Sequence, residues 1–230
     1  MTAQPLTMIS SMATRELLAA LAAQYQHANG VVVRTEAAGG VEVAKRISAG
    51  EAWDVVVLAA SAIDKLIADG AVLAARVDLV RSGVAIAVHA DAARPPVNTP
   101  DEVKAAVLAA PSLSYSTGPS GVYLEKLFKH WEILDEIRPR IVVPPPGIPV
   151  GTLVADGRVA LGFQQLSELM NLPGIAVLGP LPDAIQTITV FSGGVCAASA
   201  NPAAARALLE EMAAPATMAM KHRYGMEPAA

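Results

Sequence analysis

Four places in the sequence set small or hydroxyl-bearing residues directly ahead of a helical segment. They are Ser10-Ser11, Gly39-Gly40, Ser116-Thr117-Gly118-Pro119-Ser120-Gly121 and Pro149-Val150-Gly151-Thr152. The first amides of a helix have no internal acceptor, and the helix dipole adds partial positive charge, so such turns favour an anion. Any one of them alone is ordinarily a helix cap. Their recurrence at equivalent turns predicts a cradle for a small anionic ligand, with Ser10, Ser11, Gly40, Ser116, Thr117, Ser120, Gly121, Val150 and Gly151 as candidate contacts.

Arg81 and Ser82 join this set. Arg81 stands between apolar neighbours in Leu79-Val80-Arg81-Ser82-Gly83-Val84. It is either an edge arginine facing solvent or a guanidinium gripping a carboxylate at two points, which lysine cannot match. Gln164, Gln165 and Glu168 follow an apolar strand, and the two glutamines could supply amide donors to an anion or simply open a solvated helix. His27, His89, His130 and His222 are scattered without metal-ligand spacing, so no metal is expected. There is no Ser/His/Asp arrangement, P-loop or dinucleotide glycine fingerprint, and Gly118-Pro119-Ser120-Gly121 lacks the G-x-S-x-G spacing. No cofactor is implied. The single cysteine, Cys196, lies in an apolar run after Gly193-Gly194-Val195 and reads as buried strand filling.

The elements that must position these residues alternate between strand and helix. Leu6–Ser10 reads as a strand and Thr14–Asn29 as a helix closed by Gly30. Val31–Glu36 is a second strand, and Val41–Ala49 a helix ended by Gly50. Asp54–Leu58 is a continuous apolar strand, and Ser61 caps the next helix. Leu79–His89 is a longer strand, broken at Ser82-Gly83. A second set follows: helices at 101–109 and 120–131, strands at 113–116, 140–143, 159–163 and 175–178, and short helices at 150–156 and 165–170. Three prolines at 144–146 must interrupt regular pairing. Gln186–Ala197 is a second long β-rich stretch, with helices at 202–212 and 216–224 after it.

This order predicts a doubly wound α/β fold in two lobes, one discontinuous (1–82 and 192–230) and one inserted (83–191). The two long strands would act as the hinge, and the ligand would sit between the lobes. Composition agrees with a packed α/β protein. The chain has 230 residues, 53% hydrophobic and 17% charged, and its 4% aromatic content leaves little for stacking platforms. A net charge of −4 without a basic stripe argues against nucleic acid. No run of 18 apolar residues occurs, so no membrane insertion is expected. The first basic residue, Arg15, lies inside an amphipathic segment rather than ahead of an apolar one. That pattern predicts a cytoplasmic protein, or a periplasmic one if a signal segment has been removed.

Taken together, several stretches carry a family resemblance. They are Ala22-Ala23-Gln24-Tyr25, Ala44–Gly50 with Asp54–Leu58, Pro119-Ser120-Gly121-Val122-Tyr123, Leu161-Gly162-Phe163 and Arg223-Tyr224-Gly225. The chain resembles type II periplasmic binding proteins, specifically the molybdate-binding branch, across nearly its whole length. The resemblance implies an oxyanion-binding serine at Ser10 or Ser11, and backbone donors at Ser120 and Val150. The family's second-turn serine falls on Gly40 and its tyrosine on Gln165. Losing both hydroxyls argues against a tetrahedral metal oxyanion, and gaining Arg81 argues for a di- or tricarboxylate. The branch includes aconitate-isomerase-like members, so the resemblance implies an isomerase that moves a double bond in an unsaturated polycarboxylate. Tyr115 and Glu168, then Tyr123 and Glu42, are the candidate proton carriers. The alternatives are a solute-binding protein serving an ABC permease and a ligand sensor without chemistry.

Overall fold

The computed structural model describes residues 4–145 and 147–229. In chain order its elements begin with β1 (Leu6–Ser11), α1 (Arg15–Asn29), β2 (Val33–Ala38), α2 (Gly40–Ser48), β3 (Val55–Ala59), α3 (Ala60–Ala68) and β4 (Val77–His89). Next come α4 (Pro100–Ala109), β5 (Leu113–Tyr115), α5 (Pro119–His130), α6 (Leu134–Ile137), α7 (Val150–Ala155), β6 (Leu161–Gln165), α8 (Leu166–Leu169) and β7 (Ile175–Pro180). Last are β8 (Ile188–Val195), α9 (Pro202–Ala213), α10 (Met218–Arg223) and β9 (Glu227–Pro228). The chain divides into two compact units. The first reaches Ser82 and resumes at Val190, and the second is Gly83–Thr189.

In the first unit β1 pairs in parallel with both β2 and β3, and β8 runs antiparallel to β3. Strand alternation sorts the apolar residues onto two faces. Met8, Val55 and Val57 pack with Leu17, Leu18 and Leu21 of α1 and with Leu208 and Leu209 of α9. Ile9, Val56 and Leu58 pack with Val43 and Ile47 of α2 and with Ile63 and Leu66 of α3. Helices on both faces explain why β3 reads as an unbroken apolar run. Because β1, β2 and β3 are parallel, their carboxyl ends share one edge, where α2 and α3 begin.

In the second unit β5 and β6 are parallel, while the latter half of β4 runs antiparallel to β6 and β7. Ile86, Phe128, Phe163 and Leu113 centre one core. Phe128 lies 5.9 to 6.1 Å, centroid to centroid, from Tyr115, Trp131 and Phe163. Val150, Leu153 and Val154 of α7 form a smaller cluster, and Ala85, Ala87 and Leu169 another. The carboxyl ends of β5 and β6 again share an edge.

Several sequence expectations need correction. Arg140–Val143 is not a strand, and only Ile141 bridges to Leu113. Arg138–Arg140 instead forms a 3-10 turn containing Pro139, and the guanidinium of Arg140 donates to the carbonyls of Leu108 and Ala110. Ser61 does not cap α3, whose N-cap is Ala59; Ser61 lies within the first turn. β4 continues through Ser82-Gly83 without a break. Gln164 and Gln165 end β6 rather than follow it. The short β9, unanticipated from sequence, pairs with Val80 and Arg81 of β4. By contrast, Gly30 closes α1 in the left-handed conformation at φ 69°, as its position demands.

Candidate functional site

The first unit gathers its candidates where β1 and β2 end. Ser10 and Ser11 are the last residues of β1 and both are buried. The two hydroxyls differ. Ser10 Oγ donates to the Ser11 carbonyl at 3.2 Å, as does Thr14 Oγ1. Ser11 Oγ is fully buried and, among the described residues, has no hydrogen-bond partner. An unpaired buried hydroxyl costs about 1–3 kcal/mol. It is therefore a polar group for which the described residues supply no acceptor.

Gly40 opens α2 beside it. A Cβ built on Gly40 would stand 3.8 Å from Ser11 Cβ and 3.7 Å from Leu58 Cδ2. The helical ladder of α2 begins with Val43 N–H donating to the Gly39 carbonyl. The amides of Gly40, Val41 and Glu42 come before it, at the positive end of a nine-residue helix. A buried hydroxyl and free first-turn amides together make an anion-receptive cluster. Glu42 lies in this first turn and is exposed.

The second unit is organised differently. Ser116 Oγ and Ser120 Oγ lie 2.9 Å apart across the turn from β5 into α5. Gly121 allows that turn to close, since a Cβ there would stand 1.6 Å from the Ser116 carbonyl oxygen. Thr117 is exposed, whereas Ser120 and Gly121 are buried.

At the end of β6 the candidates bond to one another. Gly151 N–H, expected to face a ligand, donates to Gln164 Oε1 at 2.9 Å. Gln164 Nε2 in turn donates to Glu168 Oε1 at 2.7 Å. Gln165 Nε2 donates to Thr189 Oγ1 at 3.0 Å. Both glutamines are buried, so the picture of solvated helix-start residues is wrong. Buried amides need partners, and here they find them in the chain. Val150 is buried as the first residue of α7, a helix of only six residues.

The remaining candidates are more dispersed. Tyr115 packs on Phe128, and its phenol is pushed up chiefly by burial and then by the charge of Glu125. Tyr123 Oη donates to the Ile185 carbonyl at 2.9 Å and so ties α5 to a following turn. Arg81 is exposed, and its Nε donates to the Pro228 carbonyl at 3.2 Å. Ser82 is buried on β4. Cys196 is buried and its thiol is pushed up to about 12 by desolvation and the nearby Asp54. That fits filling rather than nucleophilic chemistry. Among the described residues no three His, Cys, Asp or Glu side chains cluster to hold a metal ion. No described helix is long and apolar enough to cross a membrane.

Sequence reasoning missed the Gly151–Gln164–Glu168 link and the role of Thr189, because these partners lie far apart in the chain or face inward only in the fold. Ser114 Oγ, a second buried hydroxyl without a partner among the described residues, carries no sequence signal at all.

A family model described as "Bacterial extracellular solute-binding protein" matches residues 6–227. The chain belongs to this solute-binding family. An aconitate isomerase from Pseudomonas sp. is 37% identical over 238 residues, covering 98% of this chain and 90% of the relative. Among solved structures, the periplasmic molybdate-binding protein of Azotobacter vinelandii superposes with a TM-score of 0.80 at 20% identity, over 96% of this chain and 98% of that one. The sulfate-binding protein SubI of Mycobacterium tuberculosis H37Rv gives 0.78 at 13% identity, over 99% and 88%. The substrate-binding domain of a molybdenum ABC transporter from Clostridium difficile gives 0.74 at 16%, over 99% and 100%. The fold of this solute-binding family member is thus the type II periplasmic-binding-protein fold that its sequence resembles.

Proposed function

We propose that the protein is an isomerase of a small unsaturated polycarboxylate, moving a carbon–carbon double bond by proton transfer. The observation that carries this reading is the 37% identity to an aconitate isomerase along 98% of the chain. The molybdate- and sulfate-binding neighbours reach only 20% and 13%. The local chemistry supports it. A polycarboxylate offers a carboxylate to the donors of the first unit, Ser11 Oγ and the amides opening α2. Gly40 and Gln165 replace the hydroxyls that the molybdate-binding branch would carry there, which suits planar carboxylates better than a tetrahedral oxyanion.

The proton carrier in this reading is Glu168. Its carboxylate takes a proton from the methylene carbon next to the double bond. The electron pair spreads over the three-carbon allyl system and into the flanking carboxylate. The same proton then returns at the far carbon, leaving the double bond shifted by one position and the composition unchanged. Donors aimed at the carboxylates stabilise the charge that builds up between the two transfers. Tyr115 and Tyr123 are less suited, the first packed on Phe128 and the second bonded to Ile185.

The test is an NMR time course of the protein with aconitate and related unsaturated di- and tricarboxylates in D₂O. Double-bond migration is the expected result. Tight anion binding with no turnover would instead favour a solute-binding protein, the reading that the family description supports, and an ABC permease would then be its partner.

A further inference from the structure

We infer that Gly40 is a specificity-determining residue of the first unit: the room it leaves beside Ser11 admits a carboxylate carried on a substituted carbon. This rests on the polycarboxylate reading above. The glycine has neither of the usual structural reasons. It opens α2 without a positive φ, so any residue could adopt its backbone. Crowding does not demand it either. A Cβ there would meet Leu58 Cδ2 at 3.7 Å and Ser11 Cβ at 3.8 Å, both ordinary contacts. Gly121 and Gly193 differ, since a Cβ would stand 1.6 Å from the Ser116 carbonyl oxygen and 2.2 Å from Leu209 Cδ2. At such a compatible position glycine is the less stable choice, because it leaves the unfolded chain more freedom than alanine does.

What the missing side chain does follows from its direction. The absent Cβ points toward Ser11, whose Oγ is fully buried and has no hydrogen-bond partner among the described residues. Ser11 ends β1, the strand lying between β2 and β3, so it stands between the entries to α2 and α3. Leu58, 1% exposed, forms a fixed wall beside it, whereas Gly40 itself is exposed. The space over Ser11 and Leu58 is therefore open toward Gly40. A carboxylate seated on Ser11 Oγ and the first-turn amides of α2 brings the carbon that bears it into that space. Formate has only a hydrogen there. A polycarboxylate has a carbon with further substituents, each needing about 3.5–4 Å from any protein carbon. A methyl group at position 40 takes the space that glycine leaves.

Two variants of graded size test the inference, Gly40→Ala and Gly40→Val. Chemical denaturation checks the fold, and the alanine variant should be no less stable than wild type. Two probes are titrated into each protein: aconitate, followed by calorimetry, and formate, followed through the ¹⁵N amide shifts of Val41 and Glu42. Gly40→Ala should weaken aconitate binding by about tenfold, the effect expected when one methyl group is forced into a filled site. Gly40→Val should weaken it further, and formate should bind the alanine variant as it binds wild type. Unchanged aconitate affinity in both variants would overturn the inference. So would an equal loss for formate and aconitate, because position 40 would then act on the carboxylate contact and not on the carbon behind it. A wild-type protein that binds formate at these amides but not aconitate would sink the polycarboxylate reading and the inference with it. Wild-type binding of aconitate that survives both substitutions sinks the inference alone.

Discussion

The two turn clusters use similar residue types to opposite ends. In the first unit Ser11 Oγ has no partner among the described residues and lies beside the first-turn amides of α2. The polar side chains that hold that unit together lie elsewhere. Asp54 accepts from Thr7 and Ser199, and Asp78 from Arg76 and Ser192. In the second unit the candidate residues are themselves the internal bonds: Ser116 with Ser120, Gln164 with Gly151 and Glu168, Gln165 with Thr189. One cluster keeps donors uncommitted, which suits capture of a carboxylate. The other is fixed in advance, which suits chemistry that needs a base held in one place.

The largest effect should come from breaking the second cluster at its base. Glu168→Gln is expected to lower kcat by about 10²–10⁴ while leaving affinity for a saturated tricarboxylate nearly unchanged, read by NMR turnover and calorimetry. Equal loss in both would make Glu168 a binding residue and blur the contrast. Next comes the turn that Gly121 permits. Gly121→Val should cost about 3 kcal/mol or prevent folding, measured by chemical denaturation, because the new Cβ would collide with the Ser116 carbonyl.

Ser11→Ala sharpens the comparison from the other side. It should weaken anion binding by about 1.5–3 kcal/mol yet leave the free protein no less stable, since the lost hydroxyl has no partner among the described residues. Ser116→Ala and Ser120→Ala should instead lower stability, because each orphans the other hydroxyl.

Smaller effects fall outside the clusters. The Arg76 guanidinium and Ser192 hydroxyl hold the Asp78 carboxyl below its ordinary value. A carboxylate with a depressed native pKa adds stability above the unfolded value near 4, and that stability is lost as pH falls through the native value. Asp78→Asn should therefore flatten the acid limb of the stability–pH curve below about pH 4, by less than about 1 kcal/mol given the exposed pair. Arg81→Ala should alter anion affinity by no more than about threefold, because the guanidinium is exposed and engaged with Pro228. A tenfold loss would restore Arg81 to the ligand.

Much of this was legible in the chain. The apolar run at Val55–Leu58 announces a strand covered on both faces, and the glycines at 30 and 50 mark helix ends through their left-handed φ of 69° and 83°. The serines before α1 and α5 stand at helix-entry turns as their neighbours predict. The reading failed at 140–143, where β-branched residues suggested a strand but proline and an arginine bonded to carbonyls turned the backbone aside. At Gln164 and Gln165 it left two readings open, amide donors to an anion or solvated helix-start residues, and burial at the end of a strand removes only the second.

The sequence by itself determined the alternation of strands and helices, and the places where helix N-termini follow strands. Those depend on local periodicity and on residues within a few positions of each other. Only the tertiary structure decided which hydroxyl of Ser10-Ser11 lacks a partner, and that Gln164 links Gly151 to Glu168. Hydrogen bonding of a buried polar group is fixed by whatever else the fold brings within about 3 Å, and sequence spacing does not encode that distance.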